Sequence, residues 1–457
     1  MLASSSRAVA APSNSARQQQ QVLVRRRRRP GASLNASSPP GTATTAVSTA
    51  SAPSSPALDL AAKAAFLRQD LPNLFNDAGI DAAAYADRVE FLDPITRYAS
   101  IRGYLANIAF LRRAFSPDPL TVHGLRRTTE SEITSRWTMT MRFSPARLLA
   151  GGRYWDPRVE FTGTSAYGFD PATGKIVRHV DTWDSVSNQT FFSTEAFGVF
   201  LGQMANVRRT PAGLEQPPGV TLRKHATFTV RRYAPFVVAE APLDGIGAGG
   251  GQGHEGQAVD GAAAAAARPP APPAAAAAGP SVNPAGRSIG AFRALAGYLF
   301  GGNARGAAMS MTTPVLSDSR GRMQLVLPAG RAAGGSSTDG SSVGVAARAD
   351  ASAAPPPLPG SGVVVRVDDG GIFVVREFGG VATPAVVAAE ASALRRDAAA
   401  AGFAIREGAG GSAPVRLARY NDPSVKPRFR RNEVMLPLDE GKFDLWRGGP
   451  GEGAPEL

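Results

Sequence analysis

Residues 133–143 read Ile-Thr-Ser-Arg-Trp-Thr-Met-Thr-Met-Arg-Phe, and this stretch decides the fold class of the first half of the chain. Its apolar side chains alternate with threonine and arginine, which is the period of a half-buried β-strand. Residues 159–167 and 177–183 alternate in the same way. Before these stretches, apolar residues recur at helical spacing over 60–74 and 101–115. Helices followed by long antiparallel strands predict an α+β fold.

Three acid and base side chains stand out in this first domain, which we place at residues 58–206. His179 and Asp181 are two residues apart on a predicted strand, so they share a face and could act on one bound molecule. Asp93 is the third candidate. The alternative is that His179 is a packed, hydrogen-bonded strand residue and that Asp93 caps the turn before Pro94.

Two motifs of the first domain resemble a plant and algal domain of uncharacterised function. They are Glu90-Phe-Leu-Asp-Pro94 and the closing strand His179-Val-Asp-Thr-Trp-Asp184, and the resemblance covers most of residues 60–200. That domain belongs to the nuclear transport factor 2-like superfamily. The resemblance implies a cone-shaped domain of helices and antiparallel sheet around a cavity. Some members use the cavity as an isomerase or hydrolase pocket, and many use it only for binding.

The second domain, placed at residues 220–446, repeats one order of elements. The predicted elements are a strand at 227–240 broken at Pro235, a helix at 289–299, strands at 311–315 and 323–328, a strand at 372–378, a helix at 383–401, and strands at 415–420 and 433–438. The order strand, helix, strand, strand therefore occurs twice. This duplication predicts two halves that pair into one barrel-like sheet flanked by two helices.

The motifs of the second domain resemble the SOUL haem-binding family and follow one another in family order. They are Tyr233-Ala-Pro-Phe-Val-Val-Ala-Glu240, the helix Ala291-Phe-Arg-Ala-Leu-Ala-Gly-Tyr-Leu-Phe-Gly301, Met309-Ser-Met-Thr-Thr-Pro-Val315, and Tyr420-Asn-Asp-Pro423 with Arg430-Arg-Asn-Glu-Val434. The resemblance implies a distorted antiparallel β-barrel with two helices. It also implies non-covalent binding of haem or another tetrapyrrole.

The resemblance places the porphyrin groove along the first helix of the second domain. A porphyrin needs an apolar groove, cations for its two propionates and, optionally, an axial ligand for iron. The candidates are Phe292, Leu295, Ala296 and Leu299 for the wall, Met309 and Met311 for adaptable filling, and Arg293 and Arg305 for the propionates. Core packing is the alternative for the apolar residues, and a solvated charge is the alternative for the arginines.

Axial ligation of iron has a single candidate in the second domain. His225 is its only histidine outside residues 244–286, and it directly precedes the first predicted strand. We assign no metal ligand, and the resemblance also allows binding without an axial histidine, which makes metal-free tetrapyrroles plausible ligands.

The composition excludes several classes of protein. The 457-residue chain has no cysteine, which excludes disulfides, thiolate zinc sites, iron–sulfur clusters and cysteine nucleophiles. No run of about 18 apolar residues occurs, so we expect no transmembrane segment.

The net charge of +13 is distributed unevenly. Seven arginines and no lysine, aspartate or glutamate fall in residues 1–57, so more than half of the net charge lies there. This composition is typical of an organelle transit peptide, and the Ser/Thr/Pro-rich part favours the chloroplast over the mitochondrion or the cytoplasm. A disordered tail, or a nucleic-acid patch formed by the run 25–29, is the alternative. We expect no nucleic-acid partner, because the rest of the chain carries no matching basic face.

Proline, glycine and alanine are also clustered. Residues 244–286 and 329–361 are predicted to be disordered inserts, because they cannot bury enough apolar surface to fold. Residues 207–219 are interpreted as an interdomain linker, and 447–457 as a disordered tail.

The leading hypothesis for function is a tetrapyrrole binder or carrier of the plastid, without chemistry of its own. One alternative is an enzyme that acts on a small lipophilic or isoprenoid-like molecule in the first domain. Another is a structural protein of plastid lipid droplets or the eyespot, in peripheral contact with a plastid membrane or droplet.

Overall fold

A computed structural model of the chain describes residues 58–143, 157–189, 191–208, 210–211, 213–243, 287–328, 349–408, 411, 413–449 and 452–457, with residues 287–289 described as backbone only. The predicted transit peptide (1–57), the first insert (244–286) and the first part of the second insert (329–348) lie outside these residues. The described residues form two sheets, of seven and nine strands, and helices pack on both. No helix among them is long and apolar enough to span a bilayer.

The first sheet and its helices are built from residues 60–204. The elements are α1 (Leu60–Asp70), β1 (Tyr85–Leu92), β2 (Arg97–Ser100), α2 (Ile101–Ala114), β3 (Phe115–Pro117), β4 (Thr121–Thr129), β5 (Glu132–Phe143), β6 (Arg158–Phe169), β7 (Ile176–Trp183) and α3 (Thr194–Met204). Side chains at the helix starts stabilise the helices: Ser100 accepts a hydrogen bond from the amide of Gly103 at 3.3 Å at the start of α2. Helix α1 gives way to a 3₁₀ turn over Leu71–Phe75, because Pro72 has no amide hydrogen to continue it.

The strand order of the first sheet is β2-β1-β7-β6-β5-β3, and β4 pairs with β5 beside β3. The prediction of an antiparallel sheet is wrong for one pair, because β1 and β7 run parallel, with Phe91 opposite His179. The parallel pairing arises because β1 and β7 are far apart in sequence and are joined by no hairpin. The sheet curls around an apolar core, and α1, α2 and α3 cover it.

The second sheet occupies residues 219–437. Its elements are β8 (Gly219–Lys224), β9 (Thr229–Tyr233), β10 (Phe236–Pro242), α4 (Arg287–Leu299), β11 (Val315–Asp318), β12 (Arg322–Val326), β13 (Val364–Asp368), β14 (Gly371–Phe378), α5 (Pro384–Ala400), β15 (Arg416–Arg419) and β16 (Asn432–Pro437). The strand order is β13-β10-β12-β11-β15-β16-β14-β9-β8, and every neighbouring pair is antiparallel.

The predicted duplication is confirmed in the second sheet. The order β10, α4, β11, β12 recurs as β14, α5, β15, β16, and in each half the third strand of the unit pairs with the first, while the second strand lies farthest from the first. The halves meet where β11 pairs with β15. Helix α4 packs on β10 and β12, whereas α5 packs on β14 and β16, so the two helices lie over different halves of the sheet.

Three boundary predictions of the second domain are corrected by the structure. Residues 311–314 are not a strand, because β11 begins only at Val315, after Pro314, which cannot donate to a ladder. The last residue of the predicted linker, Gly219, begins β8. Residues 349–361 are ordered rather than part of a disordered insert, because the hydroxyl of Tyr298 donates to the carbonyl of Pro355 at 2.7 Å.

The predicted tail is also ordered in its described part. The amide of Leu457 donates to the carbonyl of Leu125 in β4 at 2.9 Å, and the guanidinium of Arg68 donates to the carbonyl of Leu457 at 2.7 Å. The Gly/Pro composition of 447–457 suggests disorder, but main-chain hydrogen bonds hold Pro455 and Leu457 against the edge of β4.

The two sheets contact each other through β8. The hydroxyl of Thr138 on β5 donates to the carbonyl of Thr221 at 2.6 Å, and the amide of Lys224 donates to the hydroxyl of Thr162 at 2.6 Å. Strand β8 of the second sheet is therefore joined to the first sheet by direct hydrogen bonds.

Candidate functional site

A cavity of about 250 Å³ lies inside the first domain, between the sheet, α2 and α3. Most of its wall is aliphatic and aromatic, and Phe110 lies at the wall while remaining largely exposed. The polar side chains that line it are Asp93, Thr96, Tyr104, Asn107, Ser165, Tyr167, His179 and Asp181, beside Tyr85. The three predicted acid and base residues therefore line one cavity.

His179 and Asp181 form a hydrogen-bonded pair in this cavity. The distance from His179 Nε2 to Asp181 Oδ1 is 2.9 Å, and the same carboxylate oxygen accepts the hydroxyl of Ser165. That hydroxyl oxygen in turn accepts the indole N–H of Trp137 at 2.8 Å. Two neighbouring strands thus hold the Asp181 carboxylate in one orientation, and the carboxylate orients the imidazole.

The second ring nitrogen of His179 accepts no hydrogen bond from the part of the chain that the structure describes. Its Nδ1 is buried and has no hydrogen-bond partner among the described residues. Aromatic rings surround the imidazole, with ring centroids at 4.4 Å for Tyr167, 5.2 Å for Phe91 and 5.6 Å for Tyr104. When Nε2 donates to Asp181, Nδ1 of the neutral ring is an acceptor and a base.

Asp93 caps a turn at the cavity wall. Its Oδ1 accepts the amides of Ile95 and Thr96 at 2.7 and 2.5 Å, and its Oδ2 accepts the hydroxyl of Thr96. Burial raises the pKa of Asp93 above its ordinary value, and the charge of Asp181 acts in the same direction, against the hydrogen bonds of Thr96 and Ile95. Both carboxylate oxygens of Asp93 accept hydrogen bonds within the turn. The acid–base pair of the cavity is therefore formed by His179 and Asp181.

The size and polarity of the cavity limit its ligand. A volume of about 250 Å³ lies just below the range of ~300–1,000 Å³ that is usual for ligand pockets. Burial also holds the pKa of Tyr104 well above its ordinary value, so the phenol stays neutral and can donate a hydrogen bond. The site suits a compact, largely apolar molecule with a polar group for His179.

The predicted porphyrin wall on α4 divides into two faces. Leu295 and Leu299 are 0% and 1% exposed and belong to the core between α4 and the sheet. Phe292 is 40% exposed, Ala296 is half-buried, and Phe300, which the sequence analysis did not single out, is 62% exposed directly after the helix. Residues four apart share a face of a helix, so these three residues form an outward apolar row. Leu295 and Leu299 therefore pack in the core, and a ligand contact of the α4 residues stays a prediction.

The remaining predicted groove residues lie around α4. Met309 and Met311 are half-buried against the α4 core, and the amide of Met309 donates to the carbonyl of Leu299 at 2.8 Å. Arg293 and Arg305 are exposed, and the guanidinium of Arg305 donates to the carbonyl of Ala353 at 3.4 Å. The methionines therefore adjoin the helix.

His225 is not brought to the α4 face. Its ring stacks on Phe228 at 4.5 Å and meets Phe403 edge-on at 5.5 Å, and both rings belong to the core beneath α5. Burial, with the charge of Arg223, lowers the pKa of His225 to about 4. Within the described residues, no cluster of three or more histidine, cysteine, aspartate or glutamate side chains could hold a metal ion.

Sequence reasoning did not single out Arg419 on β15. The alternation of residues 415–420 indicated a strand, but only the strand pairing shows which charges are matched. Nη1 of Arg419 donates to Ser317 Oγ at 3.2 Å, whereas its Nη2 is buried without a hydrogen-bond partner in the described part of the chain. One feature of the sequence could have identified Arg419: it is a charged residue within a stretch whose alternation predicts a strand of the core sheet.

The fold and these two sites define a two-domain α+β protein, in which a cavity-forming domain precedes a duplicated sheet with an exposed apolar helix face. Residues 214–437 match the family model of the SOUL heme-binding protein. Residues 62–179 match the model of an uncharacterized conserved protein family, DUF2358. The chain therefore carries a SOUL domain after a DUF2358 domain, and both predicted resemblances are confirmed. None of the curated proteins matches the chain.

Several solved structures are similar to parts of this chain. An NTF2-like protein of unknown function from Exiguobacterium sp. 255-15 is 15% identical, over 23% of this chain and 80% of that chain, with a TM-score of 0.19. An LEH-like epoxide hydrolase from M. tuberculosis is 17% identical, over 27% and 80%, with a TM-score of 0.20. A putative polyketide cyclase from Xanthomonas campestris pv. campestris is 11% identical, over 31% and 97%, with a TM-score of 0.22. These similarities are too distant to assign an activity.

Proposed function

We propose that this protein binds a tetrapyrrole, haem or a metal-free porphyrin, non-covalently through its SOUL domain and acts as a binder or carrier. The observation that carries the proposal is the outward apolar row of α4. Phe292 exposes 40% of its surface on the helix to which the family resemblance assigns the groove, and Phe300 exposes 62% directly after that helix. A flat macrocycle that covers these rings removes apolar surface from water, which favours binding.

A porphyrin titration of the full chain tests the proposal. Haemin or protoporphyrin IX should give a saturable change of the Soret band at micromolar ligand. Phe292→Ser should weaken binding by about tenfold, because burial of a phenyl group contributes ~1.5–3 kcal/mol. The matched control is Val381→Ser, since Val381 is an apolar residue 52% exposed in the turn before α5. A titration without a saturable change, or equal weakening by both variants, would contradict the proposal.

A second candidate function is favoured by the cavity of the first domain. The hydrogen-bonded pair of His179 and Asp181, with Asp93 on the same wall, supports an acid–base site for a small lipophilic molecule. In such a site Asp181 orients the imidazole and His179 Nδ1 accepts a proton from the bound molecule. Tetrapyrrole binding remains the first proposal, because the match that supports it, over residues 214–437, is to a family described as heme-binding, whereas the match over residues 62–179 is to an uncharacterized family.

A fluorescent apolar probe such as 1-aminoanthracene tests whether the cavity takes ligands. Asn107 lines the cavity from α2, whereas its neighbour Ala106 is exposed and lies outside the lining. Asn107→Trp should fill the space and abolish saturable probe binding, and Ala106→Trp should leave binding unchanged. Equal binding by the two variants would show that the probe is bound elsewhere.

A plastid location is part of the proposal and is supported by the composition of residues 1–57 alone. Fusion of residues 1–57 to a fluorescent protein tests the location directly. Import into chloroplasts is the expected outcome, and accumulation in the nucleus would favour the alternative interpretation of the arginine run.

A further inference from the structure

Large apolar side chains are exposed together on the helical side of the first domain. Helix α2 contributes one, helix α3 contributes two, and two more directly precede α3. They are Phe110 (61% exposed), Phe191 (49%), Phe192 (78%), Phe197 (52%) and Leu201 (48%). We call these five residues the apolar rim. Exposed apolar side chains that gather in one region, unlike single ones, mark a surface that a partner covers.

The apolar rim borders the cavity of the first domain. Phe110 and Phe197 line the cavity and nevertheless expose more than half of their surface, so both lie where the cavity opens to solvent. Leu201 follows Phe197 by four residues and therefore lies on the same face of α3. A molecule that enters the cavity between α2 and α3 passes the rim.

The turn before α3 is held next to the same opening. The amide of Ser193 donates to the carbonyl of Pro94 at 2.8 Å, and Asp93 and Ile95 on either side of Pro94 line the cavity. Phe192 has a φ of 63°, which bulky side chains rarely adopt. The backbone thus holds the Phe192 ring in solvent in a strained conformation, and strain of this kind is concentrated at functional sites.

The charge beside the apolar rim is positive. Helix α2 contains Arg102, Arg112 and Arg113 and no acidic residue. Arg112 pairs with Asp77, whereas Arg113 is exposed and follows Phe110 by three residues, on the same side of the helix. Aromatic rings beside exposed guanidinium groups match the surface of an anionic bilayer, because the rings enter the boundary of the acyl chains and the cations attract the headgroups.

We propose that the apolar rim docks the protein onto an anionic lipid bilayer, with the opening of the cavity towards the lipid. The inference goes beyond tetrapyrrole binding and does not depend on it. A lipophilic molecule dissolved in the bilayer then reaches the cavity without passing through water. A second copy of the chain fits the rim less well, because two identical rims that face each other bring the arginines of both α2 helices together.

Cosedimentation of the full chain with vesicles tests the inference. The wild type should bind vesicles of phosphatidylcholine and phosphatidylglycerol in equal parts, and should bind vesicles of phosphatidylcholine alone more weakly. Phe192→Gly should weaken binding to both by about tenfold, because a phenyl group no longer leaves water. Arg113→Gln should weaken binding to the mixed vesicles only, by about fivefold. The matched control is Val364→Ser on β13, 59% exposed in the other domain, which should change neither.

Phe192→Gly also separates docking from folding. Glycine adopts a φ of 63° without strain, so the variant should be at least as stable in urea as the wild type, and a clear loss of stability would overturn the inference by placing the ring in the core. Absence of vesicle binding by the wild type, or equal weakening by Phe192→Gly and Val364→Ser, would overturn it as well. A dimer in solution that Phe192→Gly dissociates would identify a second copy as the partner, against the inference.

Discussion

Arg223 of the SOUL domain and Asp184 of the first domain form an ion pair between the two domains. The distance from Arg223 Nη2 to Asp184 Oδ1 is 3.4 Å, and each side chain is only 8% exposed. The other oxygen of Asp184 accepts hydrogen bonds from Arg136 and Thr162, of which the latter spans 2.6 Å. One carboxylate therefore matches two buried guanidinium groups from different domains. The domains are joined by a specific polar contact as well as by the chain.

Asp184→Asn should destabilise the protein by about 3–5 kcal/mol, the usual cost when one partner of a buried ion pair is removed. Burial by itself raises the pKa of Asp184, but the charges of Arg136 and Arg223 outweigh it and hold that pKa below its ordinary value. Urea denaturation measures the change. The control is Glu130→Gln, because Glu130 pairs with Arg127 while its side chain is 93% exposed, and it should cost less than about 1 kcal/mol. Equal losses of unfolding free energy in the two variants would show that the buried Asp184 pair contributes no more than an exposed ion pair.

Acid should destabilise the SOUL domain through Glu433. Its carboxylate accepts Arg231 at 2.9 Å to each oxygen, Arg431, and the hydroxyl of Tyr420 at 2.8 Å. Burial raises the pKa of Glu433, but Arg231 and Arg431 outweigh it and bring it to about 2, below the ordinary 4.5. A depressed carboxyl pKa contributes stability that is complete above pH 4.5 and is lost as the pH falls towards 2.

The variant Glu433→Gln isolates this contribution. Its deficit in unfolding free energy relative to the wild type should be largest above pH 4.5 and should shrink towards pH 2, since the wild-type carboxyl is then protonated too. Urea midpoints measured between pH 6 and pH 2.5 give the comparison. A deficit that is constant over this range would show that Glu433 does not titrate as stated.

Two substitutions on α4 should separate core packing from ligand contact. Leu295→Ala should cost about 2–5 kcal/mol of unfolding free energy, because it leaves a cavity beneath the helix. Phe292→Ala should cost less than about 0.5 kcal/mol, because its ring is partly in water. Urea denaturation checks both values, and a large loss for Phe292→Ala would place its ring in the core.

Deletion of residues 452–457 should lower the unfolding free energy by about 1–3 kcal/mol. The segment makes hydrogen bonds from Leu457 to Leu125, from Arg68 to Leu457, and from Arg127 to Pro455, each with a net contribution of ~0.5–1.5 kcal/mol. Glu456→Gln, which keeps the main chain, is the control. An unchanged denaturation curve of the deletion variant would show that the segment is held only loosely.

Much of the fold follows from local patterns. Strand β5 lies within one residue of the stretch 133–143, because a period of two reports the two faces of a strand directly. The duplicated unit was predictable for the same reason, since the pattern of periods recurs. The parallel pairing of β1 with β7 was not predictable, because no local pattern records which distant strand lies alongside.

The candidate sites were predictable to a smaller extent. That His179 and Asp181 share a face follows from their spacing, but the approach of Asp93 depends on Phe91 lying opposite His179 across the parallel pair. On α4 the period identifies apolar stripes without saying which one faces the sheet, so Phe292 and Leu295 looked alike. Arg419 stands apart, because the sequence does not show that its Nη2 has no hydrogen-bond partner among the described residues; that depends on its neighbours in three dimensions.

The duplicated sheet offers two helices, but the halves are no longer equivalent on the outside. Helix α4 shows phenyl groups to solvent, whereas the exposed positions of α5 are small or polar, such as Ala388, Ser392 and Arg396. The symmetry of the backbone therefore does not extend to the surface. Because only one of the two helices exposes apolar rings, we expect the binding isotherm to saturate at one tetrapyrrole per chain.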